Sequence, residues 1–278
     1  MKELYDRISY KASRIITRAY STSFSLGILF IKKSIRKDIY AIYGFVRLAD
    51  EIVDTFHDYN KELLLERFKK DVYRSIEEGI SLNPVLNSFQ LTVNKYKISV
   101  ELIDQFLHSM EMDLKKQTYN PETYKEYILG SAEVVGLMCL KVFSLGNDEQ
   151  YQRLKPHAMS LGSAYQKINF LRDLKDDYQN LGRTYFPGIK LENFNEDAKY
   201  ELMRDIQKDF SHGYQGIKKL PKTARFGVYL SFKYYYGLFK KIKRVKPQEM
   251  LIKRVRISDE RKIYMLFRSA VIYKLNLF

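Results

Sequence analysis

The feature that most constrains this chain is how little interrupts its helical periodicity. Its 278 residues contain six prolines and thirteen glycines, with no low-complexity linker, no internal repeat and almost no strand-like alternation. Apolar residues recur at three- and four-residue spacing over 39–53, 63–76, 99–114, 124–145 and 154–178, and the same pattern predicts helices over 196–220 and 224–242. Loops are expected at 81–84, 118–122 and 181–190. Nothing resembles a domain boundary, so residues 1–278 are read as a single-domain, all-α helical bundle. Hydrophobic residues make up 45% of the chain, which is ample for its core.

Composition narrows the chemistry. The single cysteine, Cys139, rules out an internal disulfide, and His57, His108, His157 and His212 are scattered without ligand spacing, so a zinc site is not expected. The start, MKELYDRISYKASR, is charged throughout and lacks the apolar core of a signal peptide, which predicts a cytoplasmic protein. The longest apolar run, FSLGILFI at 24–31, is far short of the roughly 20 residues that span a bilayer, so membrane contact is expected to be peripheral. A net charge of +15, from 48 Lys+Arg against 33 Asp+Glu, suits nucleic acid, anionic lipid or a polyanionic small substrate such as a diphosphate. From Lys233 to Lys262 eleven Lys/Arg stand against Glu249, Asp259 and Glu260. A solvated helix face explains that segment equally well.

Against this basic background, VRLADEIVD at 46–54 concentrates carboxylates. At 3.6 residues per turn, Tyr43, Arg47, Asp50 and Asp54 are spaced 4, 3 and 4 and share one narrow stripe. An isolated ionised carboxylate in a dry core is costly, so something must neutralise the stripe. Pairing with Arg47, or plain solvation, suffices for that segment alone. The stretch QKINFLRDLKDDYQNLGRTYFP at 166–187 repeats the geometry, with Gln166, Asn169, Asp173 and Asp177 spaced 3, 4 and 4. Two such helices facing each other would surround divalent cations with hard oxygen donors of the kind that suit Mg²⁺. A metal-free polar network neutralised by Arg47 and Arg172 is the plain alternative.

At these residues the chain resembles the squalene/phytoene synthases, the head-to-head trans-isoprenyl diphosphate synthases. The resemblance covers nearly the whole chain: YSTSF at 20–24, AIYGFVRLADEIVD at 41–54, YILGSAEVVGLM at 127–138, QKINFLRDLKDD at 166–177 and GRTYFP at 182–187, in matching order and spacing. The succession of NFLRD and GRTYFP is close to specific. Glu51 departs from a second aspartate carried by many members, a change the chemistry tolerates.

The resemblance implies the class I isoprenoid synthase bundle with a central active-site cavity. It implies that Asp50, Asp54, Asn169, Asp173 and Asp177 bind two or three Mg²⁺ ions, with Mn²⁺ as a substitute, and that Arg47 and Arg172 contact diphosphate. Ser21, Thr22 and Ser23 supply hydroxyls nearby; alone, such a turn reads as a helix cap. Tyr43 and Tyr127 match aromatic positions beside the allylic carbons, where a ring face stabilises a carbocation. Gln166 matches a site amide, and Arg254 with Tyr235 or Tyr236 resembles a late Arg and Tyr that close over substrate. The reaction implied joins two prenyl diphosphates through a cyclopropylcarbinyl diphosphate. Final proton loss gives phytoene or dehydrosqualene, whereas hydride from NADPH gives squalene; no NADPH is expected here, and the absence of a glycine-rich dinucleotide loop adds little, since helical squalene synthases also lack one.

Chain length is expected to depend on Leu26, Ile28 and Leu29 in the helix after YSTSF, with Tyr40 opposite. Their aliphatic character and the RVRIS segment at 254–258 favour geranylgeranyl diphosphate and a C40 product; Tyr40 favours the C30 alternative from farnesyl diphosphate. A nucleic-acid partner leaves the aspartate stripes unexplained. A non-enzymatic assembly relative would be expected to have lost the aspartates that persist here. Peripheral contact with an anionic membrane is expected of the basic segment, and the oligomeric state is left open.

Overall fold

The computed structural model describes residues 1–115, 119–181, 185–188 and 194–277, with side chains for all of these except Thr22, Ser23 and 176–181. Among the described residues the chain is helical, with no strand.

Helices α1 (Lys2–Tyr20), α2 (Thr22–Leu29) and α3 (Lys33–Asp54) open the bundle. The buried stripe of α1 is Ser9, Ser13 and Thr17, small and hydroxylated. These residues let α1 approach closely: a Cβ on Gly44 of α3 would lie 2.7 Å from Ser13 Oγ, and Ser13 shares a 2.7 Å hydrogen bond with Ser88. Ser21 caps α2 by accepting from Phe24 N. At the other end of α2, Arg36 donates to the carbonyl of Leu29, an acceptor that the helix leaves open, and to that of Ile31 in the turn beyond.

The first core is built on α3, α4 (Lys61–Glu78), α5 (Pro84–Tyr96) and α6 (Val100–Leu114). Phe45, fully buried, stacks on Phe89 at 3.9 Å, and burying each such ring contributes roughly 2–3 kcal/mol. Helix α5 starts on Pro84 after Asn83, whose side chain accepts from Val85 N and Leu86 N. It is buried almost all round, polar residues included: Asn87 donates to Asp6 and Ser9, and Gln90 to the Gly79 carbonyl.

The periodicity over 124–145 predicts one helix. The structure instead has α7 (Pro121–Ile128), a π turn at Leu129–Glu133 and α8 (Val134–Phe143). Gly130 sits in that π turn against α6, where a Cβ would be 2.4 Å from the Gln105 carbonyl. Long α9 (Asp148–Leu181) packs against the π turn, α8 and α10 (Glu196–Lys219), and α11 (Lys222–Arg244) closes the second core with α12 (Pro247–Ile252). Helix α13 (Asp259–Lys274) lies against α11. Between the two cores runs a cavity of about 310 Å³.

Candidate active site

The cavity is an apolar channel with a polar end. Its walls come from one face of each of several helices: Ile39, Tyr43, Val46 and Asp50 on α3; Val135, Gly136, Cys139, Leu140 and Phe143 on α8; and Leu154, His157, Ala158, Leu161, Gly162, Tyr165, Gln166 and Asn169 on α9. The three- and four-residue steps of these sets place each on a single stripe. From Leu154 to Asn169 the α9 wall is about 22 Å long at 1.5 Å per residue. Gly27 and Gly227 make up the wall where α2 meets α11; a Cβ on Gly227 would be 2.5 Å from the Gly27 carbonyl. Small residues there permit contact of backbones beside an open channel.

Asp50 and Asn169 reach the polar end from opposite helices. Burial pushes the Asp50 carboxyl up to about 7, Asp54 and Asp113 add to the rise, and Arg47 opposes it from 3.8 Å. Arg47 is shared: its guanidinium also pairs with Glu51 one turn on and lies 4.3 Å from the Tyr20 ring. Glu51, the position that departs from aspartate, is long enough to make that pair, and Arg47 holds its carboxyl below the usual range despite the cost of partial burial. Asn169 takes its orientation from Gln166, whose Oε1 accepts from Asn169 Nδ2 at 3.4 Å. That leaves Asn169 Oδ1 buried with no hydrogen-bond partner among the described residues, a cost unless a donor or cation arrives.

One turn further along α9, Asp173 is gripped by two arginines. Arg172 donates through Nε at 3.0 Å and Nη2 at 2.6 Å, and Arg254 Nε lies 2.6 Å from Asp173 Oδ1. Burial works against the Arg172 charge, but the Asp173 carboxylate more than offsets it, with Tyr235 adding a hydrogen bond. Arg47, Arg172 and Arg254 thus stand among the carboxylates at this end, charged donors of the kind that bind a polyanion. Asp177 lies on the same stripe with its side chain outside the described residues, as do those of Thr22 and Ser23. Among the described residues no three His, Cys, Asp or Glu side chains form a group that could hold a metal. The donor chemistry nevertheless fits a hard divalent cation: the Asp50 carboxyl, whose charge is disfavoured by burial and by neighbouring carboxylates, and a bare amide oxygen lining the same cavity.

Comparison with known proteins identifies this arrangement. The squalene/phytoene synthase family model matches residues 17–261. The chain belongs to the squalene/phytoene synthase family. It is 29% identical over 263 residues to a phytoene synthase of Arthrospira platensis, covering 85% of this chain and 84% of that protein. It is 26% identical over 208 residues to a 4,4'-diapophytoene synthase of Staphylococcus haemolyticus, covering 72% and 70%. Its fold matches a crystal structure of a dehydrosqualene synthase in complex with ligand, with a TM-score of 0.82 at 20% identity over 97% of this chain and 98% of that one. The bundle is therefore that of the isoprenoid synthases, and family membership places the chain among prenyltransferases.

Seen within the squalene/phytoene synthase family, the aromatic residues divide. Tyr43 lines the cavity, stacks on Phe24 at 4.9 Å and is pushed up to about 12 by burial. Tyr127 is not on the cavity wall: it sits among Tyr119, Phe170 and Tyr185 and donates to Asp113 Oδ2 at 2.8 Å. Of the two late tyrosines, Tyr235 reaches the cavity, whereas Tyr236 packs on Phe210 and Phe232. Tyr165 stacks on Tyr235 at 3.9 Å; the α9 stripe, extended one step upstream of Gln166, would have found it. Asp113, the acidic residue on the apolar face of α6, was also missed. Ser21 lines the cavity as well as capping α2. Of the expected length-setting residues Ile28 lines the cavity, while Leu26, Leu29 and Tyr40 do not; Gly27 and Ile31 take their place.

Proposed function

We propose that the chain, acting as one catalytic unit, condenses two prenyl diphosphates head to head and releases two diphosphates, with C20 geranylgeranyl diphosphate as substrate and phytoene as product. The observation that carries this reading is the bare Asn169 Oδ1 on the same cavity wall as Asp50, at the polar end of a long apolar channel, with Arg47 paired to Asp50 and Arg172 and Arg254 to Asp173 one turn beyond Asn169. Asp50, Asp54, Asn169 and Asp173, with Asp177, would hold two or three Mg²⁺ ions, for which Mn²⁺ substitutes. When bound, they neutralise diphosphate charge and ease its departure.

The chain's own residues do the rest. Arg47, Arg172 and Arg254 take up charge as the allylic carbon–oxygen bond breaks. For Arg172 and Arg254 that means exchanging part of their hold on Asp173 for phosphate oxygens. The ring faces of Tyr43, Tyr165 and Tyr235 stand along the channel where the carbocation forms, and the apolar walls keep water from quenching it. Tyr127 and Asp113 act behind that wall as a positioning pair. Coupling to the second chain's double bond, with loss of a proton as the three-membered ring closes, gives the cyclopropylcarbinyl diphosphate; a second ionisation, rearrangement and a second proton loss give the triene, with no reductant needed.

The C20 assignment is supported by the channel's length and by Tyr40 pointing elsewhere, which removes the main argument for a shallow floor. The C30 reading is favoured by the kinship with the diapophytoene synthase. Incubating the protein with Mg²⁺ and equal C15 and C20 diphosphates, then analysing the extracted lipid by mass spectrometry, separates them. A C40 hydrocarbon is expected. A predominantly C30 product would overturn the chain length, and no hydrocarbon from either substrate would overturn the condensation.

A further inference from the structure

Helix α13 is packed on one side only. Met265 meets Gly237, Ser269 is buried, and Tyr273 lies 4.8 Å from Phe226 of α11. The opposite side carries Ile263, Tyr264, Phe267, Val271 and Leu275, each between 55% and 66% exposed. At 100° per residue these five fall within about a third of the helix circumference. Single exposed apolar residues are ordinary on a protein surface; a continuous stripe is not. Exposed Arg261, Arg268 and Lys274 flank or interrupt it, and Asp259 and Glu260 are confined to its first turn.

The patch does not stop at α13. Phe226 sits 5.3 Å from Phe30, itself 40% exposed, at the turn between α2 and α3. Around Phe30 an open surface pocket is lined by Lys32, Lys33, Arg36 and Lys222. Ile31 lines this pocket and also the apolar channel, so the channel and the cationic surface adjoin at this residue. The segment from 233 to 262 is less free than its charge suggests. Lys233 and Lys240 lie over the Tyr229 and Tyr236 rings, Lys241 donates to the Arg256 carbonyl, and Arg254 is held by Asp173. Among the described residues no helix is long and apolar enough to cross a membrane.

We propose that the α13 stripe and the α2–α3 turn together form a docking surface for an anionic lipid bilayer. Helix α13 lies in the interface plane with Phe267, Val271 and Leu275 among the acyl chains, while Arg268, Lys274, Lys32, Lys33 and Lys222 meet the headgroups. Apolar burial and attraction to anionic lipid are the two signals that such attachment requires. Docking in this way turns the end of the channel behind Ile31 toward lipid, so a hydrocarbon product leaves without crossing water. That last consequence rests on the proposed condensation; the docking does not.

The test needs no substrate. The full-length protein is sedimented with vesicles of phosphatidylcholine alone or mixed with phosphatidylglycerol, at low and high salt. Binding to the anionic vesicles is expected to be about tenfold stronger at low salt and to fall as salt screens the cations. Phe267→Glu with Val271→Glu should abolish it, whereas Lys33→Gln, Arg268→Gln and Lys274→Gln together should remove only the anionic preference. Because the chain has no tryptophan, Phe267→Trp adds one reporter whose emission should shift to the blue on vesicles, and this keeps the proposal testable if the glutamate variant misfolds. Unchanged binding by a folded glutamate variant, or an unshifted Phe267→Trp, would overturn the proposal. So would self-association through the stripe without vesicle binding, seen by analytical ultracentrifugation, since the occupant would then be a second copy of the chain.

Discussion

Asp50 and Asp173 are held in opposite ways, and their substitutions should differ accordingly. Asp50 is buried and has other carboxylates near it, so its charge is a burden on the fold; Asp173 is clasped by two arginines. Replacing either by alanine should lower turnover by about a thousandfold, the scale of losing a main electrostatic contact in a transition state. Asp50→Ala should leave melting unchanged or raise it, whereas Asp173→Ala leaves Arg172 and Arg254 facing each other and should cost about 1–3 kcal/mol. Steady-state rates beside thermal melts check both halves; near-normal activity in saturating Mg²⁺ would remove these residues from the site. Both aspartates could be seen in the sequence because i, i+4 carboxylates on two helices stand out against a basic chain. Tyr165, four residues before Asn169, lay on the same stripe; Asp113 could not be seen, since it is a lone polar group on an otherwise apolar face and its meaning depends on which helix lies opposite.

At the level of the helices, the same limit explains α1 and α5. Hydrophobic periodicity finds a helix that buries leucines, but α1 buries Ser9, Ser13 and Thr17, and α5 buries Asn87, Ser88, Gln90 and Thr92 along with its apolar residues. Their signal lay in the partners, above all in Gly44, which makes room for Ser13. Gly44→Ala forces a Cβ to within 3.2 Å of the Ser13 backbone, and urea melts should show a loss of about 1–3 kcal/mol. The π turn is a second feature hidden from periodicity, since it interrupts a run that continues on both sides. It carries Glu133, whose carboxyl is pushed up to about 7 by burial and by Asp209, with Lys167 opposing. The folded state therefore holds this proton more tightly than the unfolded chain does. Its contribution is full below about pH 4.5, the ordinary glutamate range, and is lost as pH rises toward 7. Glu133→Gln should flatten that slope and stabilise the protein at pH 8 by about 1–2 kcal/mol, allowing for partial solvation. Melts of both proteins at pH 5 and pH 8 would show it, and parallel curves would mean that Glu133 is solvated after all.

For the whole molecule, two cores packed on either side leave a channel whose polar end is set by Asp50 and Asn169 and whose apolar part lies turns away along the same α3 and α9 stripes, against the α8 wall. That separation lets length selectivity change without touching the chemistry. On α8, Gly136, Cys139 and Phe143 step along the wall on one stripe, so bulk added partway should meet a prenyl tail before its end. Each buried methylene contributes roughly 0.8 kcal/mol, and a terminal isoprene unit left without room should lose at least about 2 kcal/mol of that burial. Cys139→Phe should therefore shift the C20-to-C15 preference by tenfold or more toward C15, with the C15 rate nearly unchanged. Phe143→Ala, which opens space instead, should leave C20 use intact and admit a longer tail. Competition between the two diphosphates, read as the ratio of C40 to C30 hydrocarbon, measures the effect, and thermal melts guard against simple overpacking by the larger ring. If the Cys139→Phe protein folds and its ratio matches that of the unsubstituted chain, the tail does not pass α8 and must run instead along the glycine contact between α2 and α11.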